Sequence, residues 1–223
     1  DGYKRQLQGR KVVVTAGGTR EPLDPVRYLT NRSSGKMGFA VAKAAQRAGA
    51  DVTLIAANPT LEAPEGIHLV KVQTAAELLE AVQREFSDAD VLVMAAAVAD
   101  YRPAEVVDHK IKKTADNQTM SLKLVRNPDI LQTLAPTKRA NQLMIGFAAE
   151  TNDLIKNAEK KIQSKKLDLI VANDVSQTSI GFNSDNNQVT FLFGDGRQVK
   201  TPVESKQKVA DQLIEIVAEE FKS

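Results

Sequence analysis

Short, unbroken apolar runs alternating with helical patterns leave this chain few ways to fold. Lys11–Ala16 reads K-V-V-V-T-A and Val52–Ala57 reads V-T-L-I-A-A, and Val91–Ala97 and Leu143–Ala148 have the same character. Runs apolar at every position are strands covered on both faces, as in a parallel sheet. Ile67–Val72 and Leu167–Val171 add two more strands. Between them lie helical patterns: Gly35 to Gly49, with Met37, Ala40, Val41, Ala44 and Ala45 at helical spacing; Thr74 to Phe86; Asp153–Lys165; and Ser205–Phe221. Thr74 with Glu77 forms a capping-box pattern. This alternation predicts an α/β fold, a doubly wound, mainly parallel Rossmann-like sheet with ligands at the carboxyl ends of its strands. Gln188–Phe193 and Gln198–Thr201 flank Gly194-Asp195-Gly196, a hairpin signal that predicts a small antiparallel extension. The polar, lysine-rich stretch Tyr101–Thr119 predicts a mobile flap, followed by a strand at Met120–Val125. Residues 1–10 read as a polar linker or N-terminal extension, which leaves 11–223 as the folded domain.

Several function classes drop out on composition. Thirty basic residues against 28 acidic ones give a net charge of +2, too balanced for a nucleic-acid binder that relies on bulk charge. No cysteine is present, so there is no thiol nucleophile and no cysteine metal site, and a cytoplasmic location is expected. No run of about twenty apolar residues exists to span a membrane. The chain opens on Asp1 rather than Met, which suits a processed or excised piece.

The eighteen residues from Gly17 to Ser34 make an unusually long connection between a strand and the next helix. Loops of that length inside a domain are usually functional. Asp24–Gly38, D-P-V-R-Y-L-T-N-R-S-S-G-K-M-G, is therefore the expected working centre. Gly17-Gly18 does not continue into G-x-G-x-x-G, and Ala56-Ala57-Asn58-Pro59 supplies no acid after the second strand, which weakens a dinucleotide reading. An NAD(P)-binding oxidoreductase remains an alternative, as does a non-catalytic nucleotide-binding module. Ser34-Gly35-Lys36 is not a Walker A element, because Thr30 and Met37 stand where Gly and Ser/Thr are needed. It is either an anion site at a helix N-terminus or a plain tight turn. Asn127-Pro128-Asp129 reads as a second helix start, with Asn at the cap and Pro at the first helical position. His68 and His109 share no ligand-like spacing. What remains is a polyanion site of glycine turns, Arg, Asn and Lys, which acts by positioning and charge.

Seven motifs occur in order: Gly17–Gly38, A-A-V-A-D-Y (Ala96–Tyr101), K-I-K-K (Lys110–Lys113), N-P-D-I (Asn127–Ile130), G-F-A-A-E-T (Gly146–Thr151), A-N-D-V (Ala172–Val175) and G-F-N-S-D-N-N (Gly181–Asn187). Together they resemble the bacterial phosphopantothenoylcysteine synthetases, the CoaB half of the bifunctional coenzyme A biosynthesis protein. The resemblance implies a two-step ligase. CTP with Mg²⁺ activates 4′-phosphopantothenate as an acyl-cytidylate, and the amine of L-cysteine then displaces CMP. It also implies the residue roles. Asn31 and Arg27 belong to the acyl substrate and its intermediate, and Lys110 heads a flap over the triphosphate. Ala96, Asp100, Pro128, Asp129, Ile130, Leu131, Phe147, Lys161 and Lys165 belong to CTP. Phe182 and Asn183 are weaker candidates for the substrate pocket. The resemblance further implies a homodimer, with the late hairpin and the strand at Met120–Val125 as pairing candidates. A flavin-dependent decarboxylase domain would lie upstream in bifunctional members, so no FMN is expected on this chain.

Overall fold

Val12, Val13 and Val14 point alternately into two different hydrophobic cores, Val12 and Val14 into one and Val13 into the other. The same alternation recurs at Leu54 and Ile55, at Val91 and Leu92, and at Leu169 and Ile170. A period of two with both faces apolar is why these runs look continuous in sequence. The computed structural model describes residues 5–116, 118–150, 153–174 and 184–222.

The first half contains β1 (Lys11–Gly17), a small ribbon of β2 (Arg20–Pro22) with β3 (Tyr28–Thr30), α1 (Lys36–Arg47), β4 (Asp51–Ala57), β5 (His68–Val72), α2 (Ala75–Phe86) and β6 (Val91–Met94). A second ribbon pairs β7 (Tyr101–Pro103) with β8 (Leu124–Arg126). Then come α3 (Ile130–Leu134) with a 3₁₀ turn at Ala135–Thr137, β9 (Leu143–Glu150), α4 (Leu154–Lys165), β10 (Leu169–Asp174), β11 (Asn186–Asn187), β12 (Val189–Phe193), β13 (Gln198–Lys200), β14 (Glu204–Ser205) and α5 (Lys206–Glu220).

Eight strands form one sheet in the order β13-β12-β10-β9-β6-β1-β4-β5. The six from β5 to β10 are parallel, and β12 and β13 continue the sheet antiparallel. In chain order the parallel strands run 3-2-1-4-5-6, the doubly wound arrangement with its switch point between β1 and β6. Helices α1 and α5 cover one face, and α2, α3 and α4 cover the other. The expected fold class is the one observed.

Three details differ from the sequence reading. Residues 5–10 are not a bare linker: Leu7 is fully buried and its N–H donates to the Ala48 carbonyl. The strand expected at Val91–Ala97 ends at Met94, because the Ala96 and Ala97 N–H groups turn to Thr15 Oγ1 and the Gly17 carbonyl instead of the ladder. The strand expected at Met120–Val125 is the three-residue β8, paired with β7 at the base of the flap. The late hairpin is the expected antiparallel extension, added to the main sheet beyond β10.

Candidate functional site

The chain leaves the sheet in opposite directions at the carboxyl ends of β1 and β6, and a crevice opens between them, as the switch-point rule requires. Two glycines bring the walls this close. Gly17 has φ +83°, and a Cβ there would lie 2.2 Å from the Ala57 carbonyl oxygen. A Cβ on Gly38 would lie 2.5 Å from the Ala16 Cβ, so α1 rests directly on β1. That contact holds the N-terminus of α1 over the crevice, capped by Gly35 in the left-handed region (φ 73°).

Two buried threonines fix the opposite wall. Thr15 Oγ1 accepts the Ala96 N–H at 3.1 Å, and Thr19 Oγ1 accepts the Ala99 N–H at 2.9 Å. The Thr19 N–H donates to the Ala97 carbonyl at 3.1 Å, and Asn31 Nδ2 donates to the Val98 carbonyl at 3.1 Å. The loop Ala95–Asp100 is thus strung between two elements of the first βα unit. Neither threonine stood out in the sequence, since both sit in runs that look like ordinary strand and turn.

Two adjoining cavities fill the crevice. The larger, about 520 Å³, is lined by Asn31–Gly38, Ala95–Ala97, Phe147–Ala149, Asn173, Asn187 and Lys206. The smaller, about 290 Å³, is lined by Asp100, Pro128–Leu131, Lys161 and Lys165 among others. They share Ala96, Phe147, Ala148 and Ala149 as a common wall. Nine residues expected to serve the nucleotide therefore converge on the smaller cavity: Ala96, Asp100, Pro128, Asp129, Ile130, Leu131, Phe147, Lys161 and Lys165. Asn31 lies on the larger one. Arg27 and Lys110 line neither: Lys110 is exposed, and Arg27 is bonded to the flap at Ile111. Phe182 and Asn183 lie outside the described residues.

The helix start near Pro128 differs from its sequence reading. Asp129, not Asn127, caps α3, accepting the Gln132 N–H at 3.0 Å. The residue before a proline favours extended backbone, and the Asn127 side chain is engaged elsewhere. It donates to the Ala99 carbonyl at 2.8 Å and to buried Glu21 at 3.1 Å. With only five residues, α3 offers little dipole for phosphates. Asp129 also pairs with Lys165 at 2.7 Å. Burial works to raise the Asp129 carboxyl, but the Lys165 ammonium and the Gln132 N–H outweigh it and hold it below the ordinary range. Any anion bound here competes with Asp129 for Lys165.

The larger cavity has polar groups that sequence reasoning missed. Lys206, at the start of α5, is almost fully buried and donates to the Ser184 carbonyl. Burial, and then the neighbouring Lys36, push its ammonium below the ordinary lysine range, while Asp185 opposes them. Lys36 pairs with Asp185 at 2.6 Å. Asn173 Oδ1 and Asn187 Oδ1 are buried without hydrogen-bond partners. A buried acceptor left unmet costs about 1–3 kcal/mol, which a ligand N–H would offset. Asn173 carried a signal, its place at the end of a buried strand, whereas Lys206 looked like a solvated helix residue.

Comparison with known proteins bears on this arrangement. The family model described as "DNA/pantothenate metabolism flavoprotein C-terminal domain" matches residues 7–221. The coenzyme A biosynthesis bifunctional protein CoaBC of Vibrio cholerae is 45% identical over 215 residues, which cover 96% of this chain and 54% of that protein. This chain thus spans about half the length of the curated relatives it matches. A crystal structure of the C-terminal domain of a CoaBC protein is 38% identical, with a TM-score of 0.83 and 98% of each chain covered. A Cab2 variant solved in complex with phosphopantothenate-cysteine shares the fold at 18% identity, with a TM-score of 0.74 over 97% of this chain and 88% of that one.

Proposed function

The chain belongs to the DNA/pantothenate metabolism flavoprotein C-terminal domain family, and from that premise we propose that it is a phosphopantothenate–cysteine ligase of coenzyme A biosynthesis, driven by CTP. The observation that carries this reading is the pair of cavities with a shared wall. One is lined by Lys161 and Lys165 and suits a triphosphate. The other is lined by Asn31 and the start of α1 and suits an acyl substrate. Their common wall at Ala96 and Phe147–Ala149 is where a carboxylate and an α-phosphate would meet.

In the first step a carboxylate oxygen of 4′-phosphopantothenate attacks the α-phosphorus of CTP. The bond to the β-phosphate oxygen breaks, leaving an acyl-cytidylate and pyrophosphate. Positioning and charge do the catalytic work, with Lys161 and Lys165 balancing the phosphates. In the second step the neutral cysteine amine attacks the acyl carbon, CMP leaves with the acyl-oxygen bond electrons, and the amine proton goes to solvent. Asn31 then acts through its amide N–H, which now donates to Val98 O and would turn to the acyl oxygen. Lys110 is the flap's contribution to the triphosphate and Arg27 that of the loop to the acyl substrate. Phe182 and Asn183 are further substrate-binding residues on this reading, by resemblance alone.

Mg²⁺ fits this donor set as a nucleotide-bound ion. Among the described residues no three acidic or histidine groups cluster to cage a metal, but Asp100 and Asp129 line the triphosphate cavity. One or two carboxylates plus phosphate oxygens are its usual ligands, and it supplies charge neutralisation.

The relatives are named bifunctional and the matching model is that of a C-terminal domain, which supports a domain fused upstream; on our reading that half is the flavin-dependent decarboxylase and FMN would belong to it. A homodimer is the assembly we propose, through the β7–β8 ribbon, where Tyr101, Leu122 and Leu124 are exposed. The place of action we propose is the cytoplasm. Among the described residues no helix is long and apolar enough to cross a membrane. Mass spectrometry of a reaction holding CTP, Mg²⁺, 4′-phosphopantothenate and cysteine tests the reading. Phosphopantothenoylcysteine and CMP in equal amounts are expected, and their absence with both CTP and ATP overturns it.

A further inference from the structure

The flap that carries Lys110 is tied to the loop before α1 by a single buried carboxylate. The Asp24 side chain has no exposed surface. Its Oδ1 accepts the N–H groups of Val26 at 2.8 Å and Arg27 at 2.7 Å, which fixes the turn through Pro25. Its Oδ2 accepts the Ile111 N–H at 3.2 Å, from 87 residues further along the chain. The Arg27 guanidinium lies 3.6 Å from that same oxygen and donates to the Ile111 carbonyl at 3.0 Å. Both backbone polar groups of Ile111 are therefore held by one acid–base pair. A further bond, from the Val107 N–H to the Leu23 carbonyl at 3.2 Å, pins the flap's ascending arm.

Burial works to raise the Asp24 carboxyl, but the three backbone N–H donors and Arg27 outweigh it and keep it ionised. Ile111 directly follows Lys110, so fixing Ile111 fixes the point from which the Lys110 side chain reaches. Without that fixed point Lys110 samples the volume open to a long polar loop, and each reach toward a phosphate carries the entropy of ordering it.

We propose that Asp24 is a positioning residue for Lys110, acting through the Ile111 N–H, with Arg27 closing the latch on the Ile111 carbonyl. Its catalytic part rests on the ligase reading, whereas its structural part does not. Asp24→Asn keeps the Oδ1 turn but offers the Ile111 N–H no second carboxylate oxygen. Ile111→Pro deletes the N–H and leaves Asp24 and its turn untouched, so it also covers a folding failure of the first variant.

Hydrogen exchange read by mass spectrometry and steady-state pyrophosphate release test the two parts separately. In Asp24→Asn the amide of Ile111 is expected to exchange at least tenfold faster and tryptic cleavage at Lys110 to accelerate, and cleavage at Lys112 and Lys113 is expected to accelerate in both variants, since trypsin does not cut the Lys–Pro bond of the second. Each variant is expected to lower kcat for pyrophosphate release about tenfold, with less than a twofold change in KM for 4′-phosphopantothenate. Adding Lys110→Gln to Asp24→Asn is expected to lose no more than Lys110→Gln alone. Losses that multiply in the double variant overturn the catalytic part, and unchanged exchange and cleavage overturn the latch itself. A chain that releases no pyrophosphate with CTP or ATP sinks the ligase reading, and the exchange and cleavage results still decide the latch.

Discussion

The Asp129 carboxylate lies 2.7 Å from the Lys165 ammonium in the wall of the smaller cavity, so the residue that caps α3 also balances a cation expected for the nucleotide. This pairing makes the site self-consistent before a ligand arrives and sets a competition once one does. On the proposed reading, phosphates would take over Lys165 and Asp129 would be left to the accompanying Mg²⁺.

Asp129→Asn separates these roles, because Asn still caps the helix. Pyrophosphate release should slow about tenfold, equivalent to about 1.4 kcal/mol, and half-maximal rate should need more Mg²⁺. An unchanged Mg²⁺ titration would remove Asp129 from that role. The pH dependence follows from the lowered carboxyl. Asp129 contributes stability at pH values above its unfolded pKa of about 4, and that contribution fades as pH falls through the folded value. Because the group is partly exposed, the amount is about 1 kcal/mol or less. Urea melts at pH 7 and pH 3 should therefore differ less for Asp129→Asn than for the parent chain.

Asn31→Ala should leave activation intact and block transfer. Asn31 lines the larger cavity and not the smaller one, although the Val98 carbonyl it holds belongs to a residue of the smaller cavity's wall. Pyrophosphate release in the presence of 4′-phosphopantothenate should continue to about one equivalent per site. Phosphopantothenoylcysteine output should fall by about 10²-fold, the scale of a lost transition-state hydrogen-bond donor. Normal product formation by the variant would remove that role from Asn31.

Thr19→Val tests the wall itself. The substitution leaves the Ala99 N–H buried without its acceptor. That should cost about 1–3 kcal/mol and lower Tm by several degrees, at about 2–4 °C per kcal/mol for a chain of this size. Thr19→Ser keeps the hydroxyl and should recover most of the loss. Equal melting of the valine and serine variants would show that the hydroxyl is not what holds the loop.

The sheet was legible because its inner parallel strands, buried on both faces, form nearly continuous apolar runs, whereas the edge strand β5, with exposed His68 and Lys71, gave a weaker signal. Element ends were less legible, because side chains far away in sequence decide them. β6 stops at Met94 when Thr15 draws the Ala96 N–H away, and Asp129 caps α3 because Asn127 is held by Glu21 and Ala99. The residues expected for the nucleotide converged because their motifs sit at the carboxyl ends of strands or on α4 facing them. Lys206 was hidden for the opposite reason. A lysine in the first turn of an amphipathic helix reads as solvated, yet Lys206 is buried and donates to the Ser184 carbonyl. Leu7 was hidden in the same way by polar neighbours. Lys110 lines neither cavity, so its proposed role rests on the reach of its side chain from a backbone that the Asp24–Ile111 contact holds in place.

The central claim is that this chain activates a carboxylate with a nucleotide and needs no nucleophilic side chain to do so. Pyrophosphate release measured with CTP and Mg²⁺, with and without 4′-phosphopantothenate and with cysteine left out, tests it most directly. The account predicts a burst of about one pyrophosphate per site that requires 4′-phosphopantothenate and becomes sustained turnover when cysteine is added. Saturable NADPH binding with no pyrophosphate under any of these conditions would contradict it.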